Sequence, residues 1–136
     1  MAAERAGHRQ PVATEGNVEY RRLGKSGLSV SEVSFGGHQA GGYRRGTFDV
    51  PLEERVKVIQ RSLELGVTYF DTTTASEVAS LGAVFRLLGG KPEGLSVACM
   101  YTDYKLNHEV IEGIEDKVRE SIDANLRQFD PIDVFN

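Results

Sequence analysis

Residues 63–82 read Leu-Glu-Leu-Gly-Val-Thr-Tyr-Phe-Asp-Thr-Thr-Thr-Ala-Ser-Glu-Val-Ala-Ser-Leu-Gly, and they contain a helix end, a strand and the start of another helix. Gly66 suits a helix C-cap, and the mostly apolar residues 67–70 that follow are typical of a buried strand. Asp71 stands at the C-terminal tip of that strand. Because α/β barrels assemble their chemistry at strand tips, Asp71 is a candidate active-site residue.

The same order of strands and helices continues along the chain. A helix is predicted over 52–65, a second from Ser76 as its N-cap to 88, and a third over 109–128. Further strands are predicted over 32–37, 95–101 and 132–135, and strands that alternate with helices at this spacing predict parallel βα units. The residues predicted to face inward on the first and third helices are Leu52, Val56, Ile59, Leu63, Ile111, Ile114, Val118, Ile122, Leu126 and Phe129.

A hairpin is predicted ahead of these units. Tyr20-Arg-Arg-Leu leads into Gly24-Lys-Ser-Gly27, and Leu28-Ser-Val-Ser31 returns. Residues 1–17 are polar and lack periodicity, which predicts a disordered tail. We therefore expect a tail over 1–17 and one domain over 18–136.

Three motifs resemble the aldo-keto reductase family. Tyr20-Arg-Arg-Leu-Gly-Lys-Ser-Gly-Leu-Ser-Val-Ser31 is similar to the hairpin that plugs the barrel bottom, and Gly66-Val-Thr-Tyr-Phe-Asp-Thr72 to the second barrel strand. Ser76-Glu77, with Leu81-Gly82 further on, resembles the residues that open the family's next helix. The resemblance spans about 18–136 and implies the N-terminal part of a (β/α)8 TIM barrel, with parallel strands and helices outside. A complete barrel takes roughly 250 residues, so 136 are too few to close it.

The resemblance assigns part of a catalytic tetrad. Asp71 takes the place of the family's aspartate, whereas Thr74 or a gap takes that of the tyrosine that acts as general acid. A threonine hydroxyl is a far weaker acid than a phenol. Met100 takes the place of the lysine, with Cys99 and Tyr101 as less favoured alternatives, and the sequence stops just short of the family's histidine. We expect the chain alone to be inactive.

The resemblance also implies NADP(H) as the cofactor, with Gly36, Gly37, His38 and Asp71 as its binding residues. Glycines at a strand tip permit close backbone approach to a ligand. The alternatives are that the glycines merely form a turn, that His38 is solvated, and that Asp71 caps the next helix in competition with Thr72 or Thr73. Most phosphate and adenine contacts of the family come from its second half, so weak or absent binding is expected.

Three functions are compatible with the sequence. The first is the N-terminal half of an aldo-keto-reductase-like oxidoreductase that acts on a small carbonyl or alcohol substrate. The second is a noncatalytic binding or scaffold protein that kept the fold. The third is a remodelled enzyme in which Tyr69, Tyr101 or Tyr104 donates the proton, and Tyr101, beside the lysine position, is the best of these. Tyr101 thus joins Asp71 as a catalytic candidate.

Composition limits the classes of partner that the chain is expected to bind. A net charge of −4 with 26% charged residues gives no electrostatic reason to expect nucleic acid or an anionic membrane. The single cysteine, Cys99, cannot form an internal disulfide and suits a reducing compartment as a packing residue. The three histidines lack ligand spacing, so no metal is expected. No apolar run reaches about 18 residues, so the cytoplasm is the predicted location. Open strand edges predict a homo-oligomer or a complementary chain.

Overall fold

The computed structural model describes residues 18–37, 50–101 and 112–136. The predictions for 1–17, His38, Tyr104 and Ile111 lie outside the described residues. A hairpin comes first, followed by strands that alternate with helices. The elements are β1 (Tyr20–Arg22), β2 (Ser29–Ser31), β3 (Phe35–Gly36), α1 (Leu52–Glu64), β4 (Tyr69–Thr72), α2 (Ala75–Leu87), β5 (Ser96–Cys99), α3 (Ile114–Leu126) and β6 (Val134–Phe135).

One parallel sheet organises the chain after the hairpin. Its order is β3-β4-β5-β6, and every pair of neighbours is parallel. The parallel α/β prediction is thus confirmed. Within the described residues, no helix has both the length and the apolar character needed to cross a bilayer.

The strand that carries Asp71 begins later than the sequence predicts. Gly66 has a φ of 90°, its N–H donates to Leu63, and the N–H of Val67 donates back to Ser62 at 3.0 Å. These bonds close the end of α1 as a left-handed glycine cap, to which Val67 still belongs. β4 therefore covers Tyr69–Thr72, and Asp71 lies inside the strand rather than just beyond it.

The core lies between the sheet and the helices. Phe70 is fully buried and its ring centroid lies 4.8 Å from that of Phe35, while Phe85 on α2 meets Phe129 edge to face at 5.3 Å. Each such buried side chain contributes roughly 1.5–3 kcal/mol. The remaining buried apolar residues of this cluster are Ile59, Val67, Val78, Leu81, Val84, Leu95, Val97 and Cys99.

Part of the predicted inward stripes is wrong. Leu52 is 42% exposed, because in the first turns of α1 the buried position is taken by Arg55. On α3, Ile114 and Leu126 lie at the two ends of the helix and are each 37% exposed, while the buried residue of that helix is Asn125. Helical spacing therefore locates the helices better than it locates the burial at their ends.

The hairpin covers the N-terminal end of the sheet. The Tyr20 hydroxyl donates to the carbonyl of Gly66 at 2.9 Å. Ser31 and Thr68 exchange hydrogen bonds, since each backbone N–H donates to the other's hydroxyl oxygen at 3.1 and 2.9 Å. Gly66 and Thr68 both precede β4, so the opposite end of the sheet carries the strand tips.

A buried ion pair joins β6 to β5. The ammonium of Lys91 donates to a carboxylate oxygen of Asp133 and to the carbonyl of Pro131 at 2.7 Å, and its side chain is 6% exposed. The same carboxylate oxygen of Asp133 accepts the N–H of Val97 at 2.8 Å. Asp133 therefore neutralises the buried ammonium of Lys91 and accepts the backbone N–H of Val97, so its role is structural.

Removing the Asp133 carboxylate should destabilise the fold strongly. Asp133→Ala leaves Lys91 without its counter-charge and Val97 without an acceptor, so we expect a loss of about 3 kcal/mol, the range for a broken buried pair. Urea unfolding followed by circular dichroism measures it. Lys57→Ala is the control: its pair with Glu54 is exposed, and the loss should stay below about 1 kcal/mol. Equal losses in both variants would contradict the structural role.

Candidate functional site

The two faces of the sheet have different neighbours. Side chains alternate along a strand, and Phe70 and Cys99 lie in the cluster that packs against the helices. Tyr69 and Asp71 have the opposite parity in β4, and the register places Asp71 between Gly36 of β3 and Ala98 of β5. We call the face with Tyr69, Asp71 and Ala98 the Asp71 face.

Asp71 does not cap the following helix. The N-cap of α2 is Thr74, whose hydroxyl oxygen accepts the N–H of Glu77 at 3.4 Å. In return the Glu77 carboxylate accepts the N–H of Thr74 at 3.3 Å, which completes a capping box. The predictions of Ser76 as N-cap, and of Asp71, Thr72 or Thr73 as alternative caps, are therefore wrong. Thr74 therefore has a structural role as the N-cap of α2, whereas its correspondence to the family's tyrosine, with a gap as the alternative, stays a prediction.

Thr72 is fully buried on the face that packs against the helices. Its hydroxyl donates to the carbonyl of Ala98 at 2.9 Å and lies 3.3 Å from the sulfur of Cys99. Burial raises the pKa of the Cys99 thiol, and the contact with Thr72 opposes that shift. Cys99 therefore stays protonated and packs as a small apolar residue, as the sequence predicts.

The two glycines at the tip of β3 differ in the space around them. The N–H of Gly37 donates to the carbonyl of Asp71 at 2.6 Å. A Cβ on Gly37 would lie 2.9 Å from that oxygen and 3.0 Å from the methyl of Thr72, whereas one on Gly36 would have no atom of the described residues within 4 Å. Gly37 is thus needed for a close approach to β4, whereas the described residues place no such demand on Gly36.

Two buried charged residues, Arg55 and Glu77, lie beside these tips, and the sequence patterns above did not indicate the role of Arg55. Arg55 on α1 donates to the carbonyl of Gly37 at 3.2 Å. Burial lowers the pKa of its guanidinium, and the charge of Glu77 opposes that shift. The signal was available: Arg55 lies one helical turn before the buried Ile59, on the inward side of α1.

The pairing of β5 with β6 continues one step beyond the strands. Asn136 donates its N–H to Cys99 at 3.0 Å and accepts the N–H of Tyr101 at 2.9 Å. This places Met100 opposite Asn136, so that strand alternation puts Met100 on the Asp71 face and Tyr101 on the other face. Of the three candidates for the lysine position, Met100 is the one that this alternation places on the Asp71 face, and the assignment of that position stays a prediction.

Comparisons with known proteins agree with this fold. No family model matches the chain. The sequence is 31% identical over 126 residues to L-galactose dehydrogenase of Arabidopsis thaliana, across 88% of this chain and 37% of that protein. A putative aldo-keto reductase from Pseudomonas aeruginosa superposes with a TM-score of 0.65 at 22% identity, across 83% of this chain and 44% of that one. An aldo-keto reductase from Bacillus halodurans in its holo form gives 0.62 at 23% identity, with 87% and 39% covered.

This chain resembles the N-terminal part of aldo-keto reductases. It spans less than half the length of each of these relatives. The structural likeness shows the fold, a parallel sheet with helices that matches part of a TIM barrel.

A phenol lies close to Asp71 in the sequence and on the same face of the sheet. Tyr69 is half-buried on the Asp71 face, two residues before Asp71. Burial, and then the charge of Asp71, raise the pKa of Tyr69. A phenol with a raised pKa is a poorer proton donor at neutral pH. In the described part of the chain, no group of three or more His, Cys, Asp or Glu side chains is arranged to hold a metal.

Alanine at the two glycines should separate packing from ligand access. Gly37→Ala forces its methyl against the Asp71 carbonyl and Thr72 and should cost about 1–3 kcal/mol, as overpacking does. Gly36→Ala is the matched control and should stay within about 0.5 kcal/mol of the parent, because its methyl meets open space. Urea unfolding of both variants measures the difference. If Gly37→Ala is as stable as Gly36→Ala, the tight contact between β3 and β4 is wrong.

Proposed function

We propose that this chain supplies the N-terminal strands of an aldo-keto-reductase-like oxidoreductase and that, by itself, it does not reduce carbonyls with NADP(H). The observation that carries the proposal is the use of Thr74 as the N-cap of α2. At the position where the family has a proton-donating tyrosine, this chain has a hydroxyl that is engaged by the backbone of Glu77. The small-molecule substrate class, a carbonyl or an alcohol, follows from the resemblance.

The chemistry explains why Asp71 alone is insufficient. Reduction moves a hydride from NADPH to the carbonyl carbon and a proton to the oxygen, which gives an alcohol and NADP⁺. An aliphatic hydroxyl at Thr74 is too weak an acid to supply that proton. The thioether of Met100 carries no charge and cannot lower the pKa of a nearby phenol. Asp71 then has no phenol at the family's tyrosine position to tune.

The described residues fit the cofactor only in part. Gly36 leaves space beside Asp71, where a nicotinamide could approach, and the cofactor would supply the hydride there. Arg55, the cation that contacts the strand tips, is already directed to Gly37 and balanced by Glu77. We therefore propose that NADP(H) binds weakly or not at all to this chain alone, with Gly36, His38 and Asp71 as its contacts and Gly37 as a packing residue.

Two other functions remain as proposals of lower rank. A noncatalytic binding or scaffold protein is favoured by the structural use of Gly37 and Thr74, which in this chain serve the fold. A remodelled enzyme would now depend on Tyr69 rather than Tyr101, because Tyr69 is the phenol on the Asp71 face. The cytoplasm stays the predicted location.

Assays of the purified chain should show no turnover. One assay offers aldehydes with NADPH, and a second offers L-galactose with NADP⁺ because one relative is named for that sugar. In both assays the change in NADPH absorbance at 340 nm should equal that of the blank. Asp71→Asn should behave like the parent. Turnover that Asp71→Asn abolishes would contradict the proposal and favour the remodelled enzyme, for which Tyr69→Phe is the next variant.

We also propose that the chain associates through the edges of its sheet. Within the described residues β3 pairs only with β4 and β6 only with β5, so each outer edge presents unpaired backbone groups. Val33, next to β3, is 58% exposed. Such edges favour pairing with another chain.

Light scattering across a dilution series should therefore give a mass above that of one chain. The occupant we expect is a second copy or a complementary chain with the remaining βα units. A variant with Val33→Lys places a charge beside the β3 edge and should lower the average mass. A monodisperse monomer that unfolds cooperatively would show that the edges are covered.

A further inference from the structure

We propose that Arg55 and Glu77 are positioning residues that fix the tips of β3 and β4 and so hold Asp71 beside Gly36. The proposal rests on the proposed function, since it concerns the same strand tips. Both residues act on the backbone next to Asp71: Arg55 donates to the carbonyl of Gly37, and Glu77 accepts the N–H groups of Thr73 and Thr74. The residues connect two helices and two strands at the end of the sheet where the candidate site lies.

Arg55 acts on the β3 side. It lies in the second turn of α1 and is 8% exposed, and its guanidinium donates to the carbonyl of Gly37 at 3.2 Å. The backbone N–H of Gly37 donates to the Asp71 carbonyl at 2.6 Å. Gly37 is thus held by both of its backbone polar groups, one toward α1 and one toward Asp71.

Glu77 acts on the β4 side. It is 4% exposed and its carboxylate accepts the N–H of Thr73 at 2.6 Å and that of Thr74 at 3.3 Å. These two residues follow β4 directly, so Glu77 fixes the path of the chain just after Asp71. The negative charge of Glu77 also opposes the lowering of the Arg55 pKa that burial causes.

The alternative use of Arg55 as a phosphate ligand fits the geometry poorly. A phosphate-binding arginine presents its fork of donors to an open surface. Arg55 is buried instead and donates to a carbonyl. Leaving a buried charge or its backbone partner uncompensated is costly. We therefore expect loss of either residue to loosen the strand tips.

Hydrogen exchange read by mass spectrometry on the full chain tests the proposal. In Arg55→Gln, amide exchange around Gly37 and Thr73 should accelerate at least roughly tenfold, which corresponds to about 1.4 kcal/mol. Exchange around Val97, at the other end of the sheet, should stay within about twofold, because local opening leaves the rest folded. Arg55→Lys keeps a cation and a donor and should restore part of the protection.

Two further variants complete the design. Arg61→Gln, on the exposed side of α1, is the matched control and should leave both regions unchanged. Glu77→Gln should loosen the region around Thr73 as Arg55→Gln does. Equal acceleration around Gly37 and Val97 would mean that the two residues only add global stability. No acceleration would mean that other contacts fix the strand tips. Either result overturns the proposal, and so does failure of both Arg55→Lys and Glu77→Gln to fold. Since exchange requires neither turnover nor bound cofactor, the result is independent of whether the chain proves active.

Discussion

The contact between Gly37 and Asp71 is the constraint on which the strand tips depend. At 2.6 Å from donor to acceptor, it brings the two backbones too close for any side chain on Gly37. The methyl group of Thr72 fills the remaining space, and the Thr72 hydroxyl donates a hydrogen bond to the carbonyl of Ala98. Asp71 is held between β3 and β5 by this packing, so the position of the candidate catalytic carboxylate follows from a backbone contact and from its neighbours rather than from bonds of its own side chain.

The two ends of the sheet have separate tasks. At the N-terminal end, the hairpin bonds to Gly66 and Thr68, and Asp133 neutralises Lys91 while it binds the backbone of Val97. At the C-terminal end, the polar contacts converge on Gly37, Thr73 and Thr74. In α/β barrels the first end contributes stability and the second contributes chemistry. In this chain, the hydrogen bonds of Arg55 and Glu77 at the second end also stabilise the fold.

Local sequence patterns predicted the architecture and left out the contacts that shape the site. Alternating strands and helices, with Gly66 as a cap, were enough for the parallel sheet, and the mostly apolar residues 67–70 were enough to place Asp71 at the end of a strand, although β4 in fact includes it. Boundaries shifted by a few residues because a glycine cap and a capping box at Thr74 use backbone groups that periodicity does not report. The role of Arg55 could not be predicted in full, since its carbonyl acceptor is 18 residues away along the chain and no local rule links α1 to Gly37.

The cap of α2 bears on the proposed loss of the tetrad tyrosine and lysine. A tyrosine at position 74 would have to replace an N-cap whose loss costs about 1 kcal/mol, unless the loop were longer. The short connection from Thr72 to α2 therefore favours a small capping residue over a bulky phenol. If Thr74 stands at the tyrosine position, as we propose, a lysine in place of Met100 would have no phenol at position 74 to pair with. Asp71 can remain in either case, because its place in β4 is set by the backbone.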